Sequence, residues 1–149
     1  MKRTTLGFSV VDGRVLLAMK KRGFGVGRWN GPGGKLEPGE TALEACIRET
    51  REEVGVELVE VEHRGTIEFI FEGKDEWSNR CEIFVAKAII GEPMESEEML
   101  PRWFALNEIP YAEMWEDDAL WLPGVLAGER VAMRFFFDDG GHLLRHESL

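Results

Sequence analysis

The chain has 149 residues, and 18 basic against 28 acidic side chains give it a formal net charge of −10. With 44% hydrophobic and 31% charged residues it is composed like an ordinary folded domain, which excludes disordered, collagen-like and low-complexity classes, and its length suits a single domain over 1–149 that needs no staple. The negative charge opposes a polynucleotide backbone, no apolar run nears the roughly 20 residues that cross a bilayer, and the start has no apolar leader, so the expected setting is the cytoplasm with neither membrane nor nucleic-acid partner.

Residues 3–11 and 14–20 are β-type runs broken by Asp12-Gly13, a two-residue hairpin signal, and predict an antiparallel pair. Residues 21–40 hold seven glycines and two prolines, which predicts a shaped loop. Thr41 with Glu44 three residues on reads as a capping box and Gly55 as a stop, so a helix is predicted from 42 to 54. Its apolar stripe is Leu43, Cys46, Ile47, Thr50 and Val54. From Val56 alternation predicts two strands, turning over Gly73–Arg80, and a third strand in PRWFAL. Residues 117–128 predict a second helix around Pro123, and the tail predicts a closing hairpin. Cys46 and Cys81 lie in apolar segments without ligand spacing and are expected to be reduced core thiols. The sum is a mixed α+β domain, a sheet flanked by two helices.

On the first helix Glu49, Glu52 and Glu53 sit at i, i+3 and i+4, which places three carboxylates on one face opposite the stripe. They repel one another by about 0.2–0.5 kcal/mol per pair, and in the last turns the helix dipole opposes them as well. A solvated charged face is one reading. The other is a cage of oxygen ligands for Mg²⁺ or Mn²⁺, hard cations that share their shell with a substrate phosphate. The loop before it adds glycines that admit close backbone approach, with Arg28 and Lys35 nearby, although it lacks the spacing of a P-loop.

The run Gly34-x5-Glu40-x7-Arg48-Glu49-Thr50-Arg51-Glu52-Glu53-Val54-Gly55-Val56 closely resembles the Nudix box, with Thr50 at an apolar position as its one departure. The resemblance implies an αβα sandwich hydrolase that uses a divalent metal. Its metal ligands map onto Glu49, Glu52 and Glu53, with a carbonyl of Gly33 or Gly34 nearby and Arg48 orienting a glutamate. Glu53 is expected as a ligand and Glu52 as ligand or general base.

The segments MKKRGFGVGRWNGPGGK, EPMESEEMLPRWFAL and MWEDDALWLP look like the animal-type oxidised-purine nucleoside triphosphatases among the MutT homologues. That resemblance implies hydrolysis of 8-oxo-dGTP, and of 2-hydroxy-dATP, to a monophosphate and pyrophosphate, with no obligate protein partner. The base pocket it implies comprises Phe24, Asn30, Phe69, Trp115, Asp117, Asp118 and Trp121, with Thr5 and Lys20 from the first strands and Glu98 near the metals. Read without it, Trp115, Trp121 and Phe69 are core aromatics and Asp117 and Asp118 are helix caps. Pro32 and the Ala119-Leu120 pair depart from the group and are expected to widen or shift the pocket. The competing functions are a Nudix hydrolase of undamaged dNTPs, dinucleotides, ADP-ribose or RNA 5′ ends, and a silent nucleotide-binding module.

Overall fold

The computed structural model describes residues 1–149. The DG turn does what its residues favour: Asp12 and Gly13 both take positive φ, and β1 (Lys2–Val11) folds back on β2 (Arg14–Lys20) as an antiparallel pair. That pairing covers only Ser9–Val11 with Arg14–Leu16. Beyond it the two strands part, and β2 instead meets β3 (Trp29–Asn30) on the same side and β6 (Met99–Ala105) on the other. The edge of β1 so vacated is taken by the glycine-rich loop. Thr5 N–H donates to Gly34 O at 2.9 Å, Gly7 N–H to Pro32 O at 2.8 Å and Leu36 N–H to Arg3 O at 3.1 Å.

Helix α1 (Ala42–Val54) starts at the predicted capping box, with the Thr41 side chain accepting from Glu44 N–H and the Glu44 carboxylate accepting from Thr41 N–H. Gly55 closes it in the left-handed conformation, φ 77°. The buried side differs from the stripe read off the sequence. Ala45, Cys46, Thr50 and Val54 are buried, while Leu43 is 41% exposed. The helix is rotated from that stripe, and it approaches β1 most closely at Gly7, which has no side chain to hold it off. A Cβ there would stand 2.6 Å from the Cys46 sulfur, so Cys46 defines the contact line. The rotation also carries Glu53, next to Cys46 around the helix, toward the protein, whereas Glu52 stays in solvent. The three glutamates therefore do not share one solvent face opposite the apolar residues.

The remaining elements are β4 (Glu57–Phe71), β5 (Asn79–Ile90), α2 (Asp118–Leu126), β7 (Val131–Phe137) and β8 (Leu143–Ser148). The sheet order is β3-β2-β1-β5-β4-β7-β8, with β6 on β2. β1 with β5 and β4 with β7 are parallel and the other pairs antiparallel, which makes the sheet mixed. Helix α1 covers one face through Cys46, Leu58, Phe84 and Ala86, and α2 covers the other through Trp121, Leu122 and Val125 against Phe8, Ile67, Ile83 and Phe135. Both cysteines are buried free thiols. No helix is long and apolar enough to cross a membrane.

Where β4 bulges between His63 and Gly65 it approaches β7 closely. Gly65 has φ 128°, and a Cβ on it would overlap the Val131 carbonyl oxygen, backbone that cannot give way cheaply. Gly65→Ala is therefore expected to lower stability by about 3 kcal/mol or more, read as a shift of the urea midpoint at unchanged slope.

Candidate active site

The loop strand 31–36 lies between β1 and α1, and the fit leaves no room for side chains. A Cβ on Gly33 would overlap the Thr5 carbonyl oxygen, and one on Gly34 would come within 2.6 Å of the Glu49 carboxyl carbon. This contact turns backbone toward the helix: Gly33 N–H donates to Glu53 Oε1 at 2.8 Å. Burial pushes the Glu53 carboxyl up to about 7 against that hydrogen bond, with Glu49 and Glu98 raising it further and Lys20 opposing them.

Arg48 joins the helix to the loop. Its Nε donates to Glu40 Oε2 at 2.6 Å and its Nη2 to Glu40 Oε1 at 2.9 Å, a two-point ion pair, and Nη2 also reaches Lys35 O at 3.1 Å. Its Nη1 donates to Glu49 Oε1 at 2.9 Å and Glu52 Oε2 at 3.2 Å. The guanidinium hydrogen bonds hold the Glu40 carboxyl down near 2. Glu49 is pushed above the ordinary range by burial, which outweighs Arg48. Glu52 is 58% exposed, and Glu98, on the loop before β6, pairs with Arg22 at 3.1 Å.

As placed, these carboxylates turn to Arg48, Arg22 and Gly33 N–H, and no three acidic, His or Cys side chains converge on one point. The donor set nonetheless suits a hard divalent cation. It is all oxygen, and the half-buried Glu53 faces two further carboxylates with only Lys20 as a countercharge.

Two adjoining cavities open beside this helix. The first, about 170 Å³, reaches in from Phe24, Asn30 and Trp115 to a floor at Asp117 and Asp118. Between them its walls are Phe69, Phe71 and Phe137 on one side and Thr4, Asn79 and Cys81 on the other. The second, about 160 Å³, shares Leu6, Phe24, Asn30, Gly33 and Trp115 with the first and brings in Lys20, Arg28 and Glu53. An aromatic, largely uncharged compartment thus abuts one that combines basic side chains with a metal-type carboxylate.

The residues singled out in the sequence divide between these compartments. Trp115 packs against Phe24 at 5.3 Å and carries Arg28 over its ring at 4.2 Å. Asn30 Oδ1 accepts from Gly31 N–H at 2.8 Å, which leaves its amide hydrogens as donors. Trp121 does not line the cavity; it is buried and its indole N–H donates to Asp117 Oδ2 at 2.7 Å. Thr5 lines the first cavity, yet its hydroxyl belongs to the α1 side of β1, near the Cys46 thiol, and has no hydrogen-bond partner.

Asp117 precedes α2 but makes no side-chain cap to it. Both Asp117 and Asp118 are buried, and Asp117 Oδ1 and Asp118 Oδ2 find no partner within the protein. Burial raises both carboxyls, and for Asp118 the adjacent charge of Asp117 adds to it, so the pair resists full ionisation.

Several wall residues were not singled out from the sequence. Phe71 and Phe137 stack at 5.0 Å because β4 and β7 run parallel in register, and nothing in either segment announces that partner. Asn79 reads as turn in the sequence but opens β5 beside β1. Glu40 carried a signal, its fixed place in the box, though not its role as the anchor of Arg48.

Comparison with known proteins agrees with this architecture. The oxidized purine nucleoside triphosphate hydrolase of Danio rerio is 44% identical over 146 residues, 98% of this chain and 93% of its own length. That of Mus musculus is 45% identical over 133 residues, 89% of this chain and 85% of its own. The crystal structure of the MutT protein from Bacillus halodurans superposes with a TM-score of 0.88 at 30% identity, covering 99% of this chain and 97% of that one. The NUDIX domain family matches residues 1–125, and with the glycine loop, capped acidic helix and mixed sheet in place, the chain belongs to the Nudix family of hydrolases.

Proposed function

We propose that the chain hydrolyses oxidised purine nucleoside triphosphates, 8-oxo-dGTP and 2-hydroxy-dATP being the substrates to test, to the monophosphate and pyrophosphate, and so cleanses the nucleotide pool. The observation that carries this reading is the pair Asp117 and Asp118, buried in an aromatic cavity with one oxygen each left without a partner. Buried polar atoms without partners are rare, and the two residues that carry them line a cavity walled by aromatic rings. The relatives from fish and mouse are named for the same substrate class.

In this reading Phe24, Phe69 and Trp115 enclose the base, and Asn30 donates to it from the wall. Trp121 positions Asp117 through its indole hydrogen bond. A carboxyl pair that shares a proton offers one donor and one acceptor, and shifting the proton swaps them, which suits both oxidised guanine and oxidised adenine. Lys20 and Arg28 meet the phosphates in the adjoining compartment. Nudix hydrolases use divalent metal, here Mg²⁺ or Mn²⁺ held by Glu49, Glu52 and Glu53 with Glu98 and a carbonyl of Gly33 or Gly34, and the metal supplies charge neutralisation and a more acidic attacking water. Arg48 fixes the rotamer of Glu49, and Glu53 is held by Gly33 N–H. Water adds to the phosphorus next to the nucleoside, and the bond to the bridging oxygen breaks, releasing pyrophosphate.

A hydrolysis panel of normal and oxidised triphosphates tests the proposal. Preference for 8-oxo-dGTP with a monophosphate and pyrophosphate as products is expected, and release of inorganic phosphate and a diphosphate would contradict it. Glu53→Gln or Glu52→Gln should cut turnover by about 10²-fold or more with the fold retained, because each removes a negative oxygen from the reaction centre while relieving repulsion on α1.

Asp118→Asn separates base reading from chemistry. Its kcat/KM should fall by about 1–3 kcal/mol, unevenly between oxidised guanine and oxidised adenine substrates. Stability should move the other way. A carboxyl whose pKa is raised by folding binds its proton more tightly in the folded state, so the contribution of Asp118 to stability is greatest below the ordinary value of 3.8 and falls as pH rises above it. Thermal melts should therefore show Asp118→Asn gaining on wild type from pH 5 to pH 8; a constant difference would contradict the buried acid.

A further inference from the structure

The first cavity has a second polar point besides the aspartates. Thr4 of β1 and Asn79 of β5 both line it, and the Thr4 hydroxyl donates to Asn79 Oδ1 at 2.7 Å. One Asn79 amide hydrogen goes to Trp77 O at 3.0 Å. The inventory of the pair then leaves the lone pairs of Thr4 Oγ1 as acceptors and the second Asn79 Nδ2–H as a donor. Both sit in a wall that is otherwise Leu6, Phe69, Phe71 and Cys81.

Both polar points line the same cavity, and the Cys81 thiol, register partner of Thr4, neighbours the Thr4 hydroxyl and also senses the charge of Asp117. Thr4, Leu6 and Phe8 share the α2-side face of β1, and Asp117 is held by Trp121, which packs edge-on against Phe8 with centroids 5.9 Å apart. Thr4 lies four residues before Phe8 on that face, farther along β1 than the contact with Trp121. A purine held by the aspartates in this cavity therefore has a further edge to offer to the part of the lining that Thr4 and Asn79 share.

We propose that Thr4 and Asn79 form a specificity-determining pair that reads the five-membered-ring edge of an 8-oxidised purine, Thr4 Oγ1 accepting from N7–H and Asn79 Nδ2 donating to the C8 oxygen. This rests on the base-pocket reading above. The chemistry singles out that edge. Oxidation at C8 converts N7 from an acceptor to a donor and replaces C8–H by a carbonyl, so the damaged base presents the adjacent donor and acceptor that this pair complements. The undamaged base presents neither, and would set its N7 lone pair against Thr4 lone pairs. The aspartates are suited to the six-membered ring, whose donors guanine carries whether or not it is oxidised at C8, so discrimination of 8-oxidised from undamaged guanine falls to Thr4 and Asn79, while oxidation at C2 of adenine is left to the aspartates.

The test uses Thr4→Val, which keeps shape and removes the oxygen, and Asn79→Asp, which keeps the acceptor for Thr4 and removes the donor. Kinetics on 8-oxo-dGTP and dGTP are paired with calorimetric binding of 8-oxo-dGMP and dGMP without metal, and melting curves establish that each variant is folded. The expected result is a fall of about tenfold in the 8-oxo-dGTP to dGTP ratio of kcat/KM, matched by a similar fall in the ratio of monophosphate affinities. Wild type that prefers 8-oxo-dGTP while both folded variants keep its ratios would overturn the assignment of this pair and leave the proposed function standing. Wild type with no preference for 8-oxo-dGTP would overturn both.

Discussion

The site depends on one steric constraint, the passage of the glycine loop between β1 and α1. Gly33 and Gly34 have the Thr5 carbonyl on one side and the Glu49 carboxylate on the other, with no space for a Cβ. Only bare backbone can lie there, and it does so by hydrogen-bonding to β1 in place of β2. Two consequences follow from the same contact. Gly33 N–H is delivered to Glu53, and β2 is free to diverge from β1, opening the cavities that flank Asn30 and Trp115. The acidic helix and the aromatic cavity are thereby tied to one piece of packing.

Charge is arranged around that contact so that repulsion is contained rather than removed. Arg48 meets Glu40, Glu49 and Glu52 at once, and its two-point pairing with Glu40 locks the guanidinium in the orientation that also serves the helix glutamates. Glu53 receives no such arginine. It is left with a backbone amide against burial and two neighbouring carboxylates, an environment that disfavours its charge and that a cation would relieve. The helix bears this strain because its cap, its glycine stop and its buried contact with β1 are independent of the charged side chains.

The aromatic cavity works on the opposite principle. Aromatic rings from four separate segments, Phe24, Phe69 with Phe71, Trp115 and Phe137, line it, so a polar group in its wall has few protein partners and is free for a ligand. Asp117 and Asp118, and Thr4 with Asn79, are the polar groups set in that lining. Arg28, stacked on Trp115, belongs to the neighbouring compartment, and this couples the position of the aromatic wall to the basic side chains there.

Local chemistry was legible in the sequence wherever it was decided locally. The Asp12-Gly13 turn, the Thr41 and Glu44 cap, the Gly55 stop and the fixed spacing of the box residues each act within a few residues, and the helix, the hairpin and the acidic cluster follow from them. Which side of α1 faces inward was not local. It depends on how the helix packs on β1, where Gly7, nearly forty residues upstream along the chain, admits Cys46 closely, and so the exposure of Leu43 and the partial burial of Glu53 could not be read from helical spacing. The aspartates look the same in sequence whether they cap a helix or floor a cavity; the hydrogen bond from Trp121 to Asp117 and the lack of a cap separate the two. Phe71 and Phe137, and Thr4 and Asn79, meet only because parallel strands distant in sequence pair in one register, a choice that depends on burying both faces of the whole sheet and that no short segment contains.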